Sequence, residues 1–136
     1  ANIKDGYAIQ LAVKCGIQLA IITGGKSEEV RQRYLGLGVQ NVFLGVSKKI
    51  ECFKDWLNTN HLRSEEVLYM GDDIPDYPVM KMVGLPVCPA DAVPEIKDIS
   101  LYISHCGGGK GAVRDIIEQV LKAQDKWMND FTFYVW

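Results

Sequence analysis

The sequence predicts an α/β domain: a three-layer, doubly wound parallel sheet of Rossmann-like type, with helices on both faces. Three observations predict it. Short runs such as "LAII" and "VLYM" are apolar, as strands buried on both faces must be. Segments with apolar residues at helical spacing alternate with them along the chain. At 136 residues, 48% hydrophobic and 24% charged, the chain is long enough for one core and too apolar for disorder.

Taken in order, Asp5 can cap a first helix running to about Lys14, which Gly16 ends. The run 17–22 is a strand stopped by "TGGK". Ser27 caps a second helix, "SEEVRQRYLGLG", with Glu28 and Glu29 in the first turn, where the helix dipole favours acids. "NVFLG" is a short strand, and "SKKIECFKDWLNT" is a helix with Ile50, Phe53 and Leu57 on one face. "EVLYMG" is a strand, and "YPVMKMVG" a helix whose Pro78 is tolerated in the first turn. "LPVCP", "LYIS" and a helix over about 111–124 complete a core of residues 1–124. Residues 125–136 form an aromatic tail carrying Trp127, Met128, Phe131, Phe133, Tyr134 and Trp136. Too little chain remains to cover these rings, so the tail docks on its own body or on a neighbour; their density favours a subunit contact.

Composition excludes several function classes. A formal charge of −2 without a basic stripe argues against nucleic acid as a partner. No apolar run approaches the roughly 20 residues needed to span a bilayer. Cys15, Cys52, Cys88 and Cys106 stand far apart without a C-x-x-C pair, with only His61 and His105 as helpers. That predicts free thiols in a reducing cytoplasm rather than a zinc site, and no basic-then-apolar leader points to secretion.

The chemistry concentrates at strand ends, where open parallel sheets collect ligands. After the first strand, Thr23, Gly24 and Gly25 offer a hydroxyl and backbone N–H groups leading into a helix, a reasonable phosphate cradle. Lys48 and Lys49 open the third helix. After "LYM", Asp72, Asp73 and Asp76 crowd into five positions; unpaired, such carboxylates are costly, and a cation would relieve them. After "LYIS" comes "HCGGGKG", a glycine loop with Gly108, Gly109 and Lys110, without the spacing of a nucleotide P-loop. Singly, each has a bland reading: a turn, a solvated helix start, a mobile connection, a cap. Jointly, a hydroxyl, a lysine and several aspartates form a site for a phosphate and a hard cation, for which Mg2+ is the natural choice.

This order of motifs resembles the haloacid dehalogenase superfamily of phosphotransferases. Within it, "NIKDGYAI", "IITGG", "GVSKKIE", "YMGDDIPDYPVM", "GLPVCPADAVPEIK" and "GGGKGAVRDIIEQVLKAQ" resemble a capless branch, the 3-deoxy-D-manno-octulosonate 8-phosphate phosphatases, from Asn2 to about Trp127. The resemblance implies a Mg2+-dependent phosphatase of a sugar-acid phosphate in lipopolysaccharide precursor synthesis, assembled as a homotetramer. It implies Asp72 as a metal ligand with Asp73 and Asp76 supporting the metal shell, and Asp73 and Lys49 as catalytic. Thr23, Gly24 and Lys49 would hold the phosphate; Arg33, Gly108, Gly109 and Lys110 would meet the sugar.

The chain departs from the family in two places. Gly25 stands where many relatives carry arginine, which leaves a nine-carbon 2-keto acid 9-phosphate open as substrate. The first motif, "DxDG", which holds the nucleophile and the general acid/base, is absent; "KDG" at Lys4 to Gly6 lacks the apolar strand before it. In the family that motif lies on the central strand. The expectation is therefore a sheet missing its first, central strand, and a few dozen further residues before Ala1 in the natural protein. A non-catalytic oligomerisation domain is the alternative that the missing motif favours.

Overall fold

The structure, a computed structural model, describes residues 2–128. In chain order it contains α1 (Ile3–Lys14), β1 (Ala20–Ile22), α2 (Glu28–Gly36), β2 (Asn41–Phe43), α3 (Lys49–Asn60), β3 (Leu68–Met70), α4 (Tyr77–Met80), β4 (Leu85–Cys88), α5 (Pro94–Ile99), β5 (Tyr102–Ile103) and α6 (Ala112–Ala123). Single 3-10 turns precede β3 (Ser64–Glu66) and α4 (Ile74–Asp76).

Among the described residues all strand pairing is parallel, but the strands fall into two sheets. β1 pairs with β2, with Ala20 opposite Asn41 and Ile22 opposite Phe43. The other sheet has the order β3-β4-β5. Among the described residues β1 and β3 each pair on one side only, so each keeps an open edge where the sequence leads one to expect a central strand. Helix α3 ties the halves together. Its buried Phe53, Trp56 and Leu57 pack against Ala20, Ile22 and Phe43 of the first sheet and Val67 and Tyr69 of the second. The opposite face of the first sheet, through Leu19, Ile21 and Val42, packs on Ile9 of α1 and on Val113 and Ile117 of α6. That alternation is the period-2 consequence of a strand buried on both faces.

Several local expectations change. Asp5 does cap a helix, but not its own. Asn2 caps α1, its side-chain oxygen accepting from the N–H groups of Lys4 and Asp5 at 2.8 and 3.3 Å. Asp5 is buried between α1 and α6 and accepts from the Arg114 N–H at 3.0 Å, in the first turn of α6. Helix α6 starts from Gly111, which has no side chain to cap with, so its free amides take a carboxylate from across the chain. Ser27 occupies the N-cap of α2 without a side-chain bond. The first strand is shorter than 17–22, because Gly16, at φ 86°, reverses the chain and the Ile17 N–H bonds back to the Ala12 carbonyl. Helix α4 stops at Met80, and α5, opened by Pro94, was not foreseen.

A second buried carboxylate sets the end of β5. Asp115 of α6 accepts from the hydroxyls of Tyr102 and Ser104 at 2.6 and 2.7 Å, with His105 Nδ1 at 3.7 Å. Burial alone would raise its pKa, but the hydrogen bonds from Tyr102, Ser104 and Gln119 outweigh it and hold the carboxyl below its usual range. The Tyr102 phenol is correspondingly pushed up to about 12, first by that bond. Asp115→Ala leaves two donors without their acceptor and is expected to cost about 3 kcal/mol in urea unfolding. Because the folded carboxyl titrates below the unfolded one, its contribution is present above about pH 4 and is lost as pH falls through the lower folded value. The wild-type urea midpoint should therefore drop between about pH 5 and pH 3 more than that of Asp115→Asn; equal slopes would refute the assignment.

Trp127, the first ring of the tail, docks on its own body. It packs with Tyr7, Cys15 and Ile17 around Leu11 and Leu121, and lies 5.6 Å from the Arg114 guanidinium and 5.8 Å from Lys122 Nζ. The tail from 129 to 136, with Phe131, Phe133, Tyr134 and Trp136, lies outside the described residues. Among those described, no helix is long and apolar enough to cross a membrane.

Candidate active site

A cleft of about 220 Å³ opens at the carboxyl ends of the strands, lined by Ile22 from β1 and by Tyr69 and Met70 from β3. Lys49, Gly71, Asp72, Asp76, Pro89 and Gly108 complete it. The fold thus brings Asp72 and Asp76 from the loop after β3, Gly108 from the loop after β5 and Lys49 from the start of α3 to one place. A larger groove of about 510 Å³ lies between β2 and α3, against Phe43, Cys52 and Trp56. Of the strand-end residues singled out in the sequence it takes only Lys48, so the smaller cleft is the candidate site.

Asp76 is its hub. It is 3% exposed, and its Oδ1 accepts from Lys49 Nζ at 2.9 Å and from the Tyr69 hydroxyl at 2.7 Å. Its Oδ2 accepts from the N–H groups of Asp72 and Asp73 at 3.0 and 3.3 Å. Burial would raise its pKa, yet the bonds from Lys49, Tyr69 and the Asp72 N–H more than compensate, so it stays ionised. Tyr69 is held as a neutral phenol, first by burial and then by Asp76. Gly71 has a steric reason: a Cβ there would stand 2.5 Å from Asp76 Cβ and 2.7 Å from Met80 Sδ.

The three aspartates differ in burial and in hydrogen-bond partners. Only Asp76 is buried; Asp72 and Asp73 are exposed. Asp73 caps the 3-10 turn, accepting from the Ile74 N–H at 2.7 Å. Asp72 reaches the cleft with its carboxyl raised, first by desolvation and then by Asp76, with Lys49 opposing and Asp73 and Asp91 adding to it. Among the described residues no three His, Cys, Asp or Glu side chains are grouped to hold a metal ion. Asp72, a carboxylate lining the cleft, nevertheless suits magnesium, which takes few carboxylates and completes its shell with waters and phosphate oxygens.

The other residues read from the sequence lie outside the cleft lining. The Thr23 hydroxyl accepts from the Gly25 N–H at 3.1 Å, so that amide, expected to be free for phosphate, closes a local turn instead. Gly24 is exposed beside it. Arg33 is exposed on α2, its guanidinium 5.8 Å from the Tyr34 ring centre. Lys110 is exposed, and Gly109 sits at φ 71°, where only glycine is at ease. Sequence reading missed Tyr69 as an Asp76 partner and Asp91, whose carboxylate accepts from the Gly108 N–H at 2.8 Å. Asp91 follows β4 at the same sheet end as the others, and that position was the available signal.

No family model matches the chain. It is 42% identical over 125 residues to the 3-deoxy-D-manno-octulosonate 8-phosphate phosphatase of Salmonella typhi, across 92% of this chain and 66% of that protein. The chain thus spans just under two thirds of the length of that curated relative. It matches the crystal structure of the 3-deoxy-D-manno-octulosonate 8-phosphate phosphatase from Yersinia pestis with a TM-score of 0.91 at 38% identity, over 94% of this chain and 69% of that one. The phosphatase of the same name from Moraxella catarrhalis, solved in complex with a magnesium ion, a phosphate ion and a KDO molecule, matches at TM-score 0.90 and 31% identity, over 93% and 72%. Likeness of this extent in both sequence and backbone goes beyond a shared fold: the chain belongs to the 3-deoxy-D-manno-octulosonate 8-phosphate phosphatase family of the haloacid dehalogenase superfamily.

Proposed function

We propose that these residues form the site of a Mg2+-dependent phosphatase that releases phosphate from 3-deoxy-D-manno-octulosonate 8-phosphate, in lipopolysaccharide precursor synthesis. The observation that carries the reading is the cleft in which Lys49, fixed by Asp76 at 2.9 Å, faces the segment bearing Asp72 at the strand ends. Magnesium, when bound, supplies positive charge for the phosphate oxygens; Asp72 would hold it, with Asp73 and Asp76 shaping the turn behind. Lys49 is pre-oriented by a buried carboxylate to offset charge on the transferring phosphoryl group without reorganising. Thr23 and Gly24 end the strand next to the cleft and are assigned to the phosphate; Arg33, Gly108, Gly109 and Lys110 are assigned to the sugar acid.

The nucleophilic aspartate of such a reaction is not among the 136 residues. The open edges of β1 and β3, both above α3, are where a strand bearing it would pair. Assembly as a homotetramer is proposed on the family resemblance, and a cytoplasmic location fits Cys15, Cys52, Cys88 and Cys106 all being free thiols.

The test is phosphate release by the protein as its cell makes it, with and without magnesium, on the eight-carbon 8-phosphate and a nine-carbon 2-keto acid 9-phosphate. Magnesium-dependent turnover with preference for the eight-carbon substrate is expected. Preference for the nine-carbon sugar would reassign the substrate, a change that Gly25 in "TGG" makes worth testing. No release from either would leave the assembly-domain reading.

A further inference from the structure

We propose that Asp91 is a positioning residue that seats the glycine loop against the cleft, and so governs how tightly the sugar-acid phosphate is held. The inference rests on the phosphatase reading and deepens it. Residues 107–111 contain four glycines, with Gly109 and Gly111 at φ 71° and 101°, so this stretch has little conformational preference of its own. Gly108 nevertheless lines the cleft with Lys49 and Asp72. Its upstream end is anchored: the Cys106 N–H donates to Ser104 Oγ, itself bonded to Asp115, and the Cys106 carbonyl accepts from Ala90.

Beyond Cys106 the side-chain tie is Asp91. Its Oδ1 accepts from the Gly108 N–H at 2.8 Å, and its carboxylate lies against the bare backbone of Gly107, where a Cβ would meet Oδ2 at 3.4 Å. The segment bearing Asp91 is in turn tied to the magnesium side of the cleft, because the Val93 N–H donates to the Asp72 carbonyl at 3.0 Å. Asp91 therefore stands between the proposed metal-binding turn and the proposed sugar-binding loop, linked to both. A charge-assisted bond of this kind offsets part of the entropy that a glycine loop keeps when free.

Asp91→Ala and Asp91→Asn, made in the natural protein, separate the possibilities. Asparagine keeps an Oδ1 acceptor for the Gly108 N–H; alanine does not. Asp91→Ala is expected to raise KM about tenfold, the factor a hydrogen bond to a charged group is commonly worth, with kcat within about twofold. Hydrogen exchange at 107–110 should accelerate in Asp91→Ala and stay near wild type in Asp91→Asn, while the melting temperature, dominated by the core, changes little in either. Unchanged KM and unchanged loop exchange in Asp91→Ala would overturn the proposal. So would an Asn variant that matches Ala in KM while its loop stays protected, since Asp91 would then act by its charge. If the wild-type protein releases no phosphate, the functional reading fails on its own, and loop exchange in the Ala variant still decides whether Asp91 is the tether.

Discussion

Lys49→Met is expected to cut magnesium-dependent phosphate release about 10²–10³-fold, the usual cost of removing one pre-oriented charge from a phosphoryl-transfer site. It should also destabilise the fold, by about 3 kcal/mol in denaturant unfolding, because Asp76 is left as a buried carboxylate without its counter-ion. The two effects have separable origins. The Lys49 side chain is 17% exposed and that of Asp76 4%, so the pair is desolvated and removal of one member is worse than removal of both. Lys49→Met/Asp76→Asn should recover much of the stability and none of the activity. A double variant as unstable as the single one would show that Asp76 serves chiefly its Tyr69 and backbone bonds. A single variant with full activity would remove Lys49 from the chemistry.

Asp72→Asn is expected to lower phosphate release about 10³-fold or more, the scale of losing several kcal/mol of metal-supplied charge stabilisation, without weakening the metal-free protein. The sign follows from the electrostatics. The Asp72 carboxyl is raised by desolvation and by Asp76, so its ionised form costs stability at neutral pH, and replacing it relieves that cost. Wild-type protein should melt at higher temperature as magnesium is added, by preferential binding to the folded state, and Asp72→Asn should lose that response. Calorimetry with and without magnesium measures both. Retained magnesium protection in the variant, or a loss of stability like that of Lys49→Met, would remove Asp72 as the metal-holding carboxylate.

These two residues differ in how legible they were. The sequence marks Lys49 and Asp72 by type and by position after an apolar strand, and the structure brings both to one cleft. Asp76 was legible as an acid but not as the hub, because nothing in "GDDIPD" reveals that Tyr69 and two backbone amides converge on it. Asp73 reads identically to Asp72 in the sequence, yet it closes a 3-10 turn. Asp5 shows the same limit over 109 positions: its capping chemistry was readable, its partner helix was not. Among the described residues, Arg33, Gly109 and Lys110 lie outside the lining of that cleft.

What the sequence determined by itself was the succession of strands and helices apart from α5, the parallel pairing their apolar runs require, and the strand ends at which the chemistry collects. Those follow from local periodicity and from the desolvation cost of crowded acids, both properties of neighbours along the chain. The tertiary structure alone decided which aspartate is buried, which amides are already taken, that the strands divide into two sheets above α3, and that Asp91 reaches Gly108. Each of these depends on a hydrogen bond or a packed contact between residues far apart in sequence, and its strength depends on burial, which only the folded chain defines.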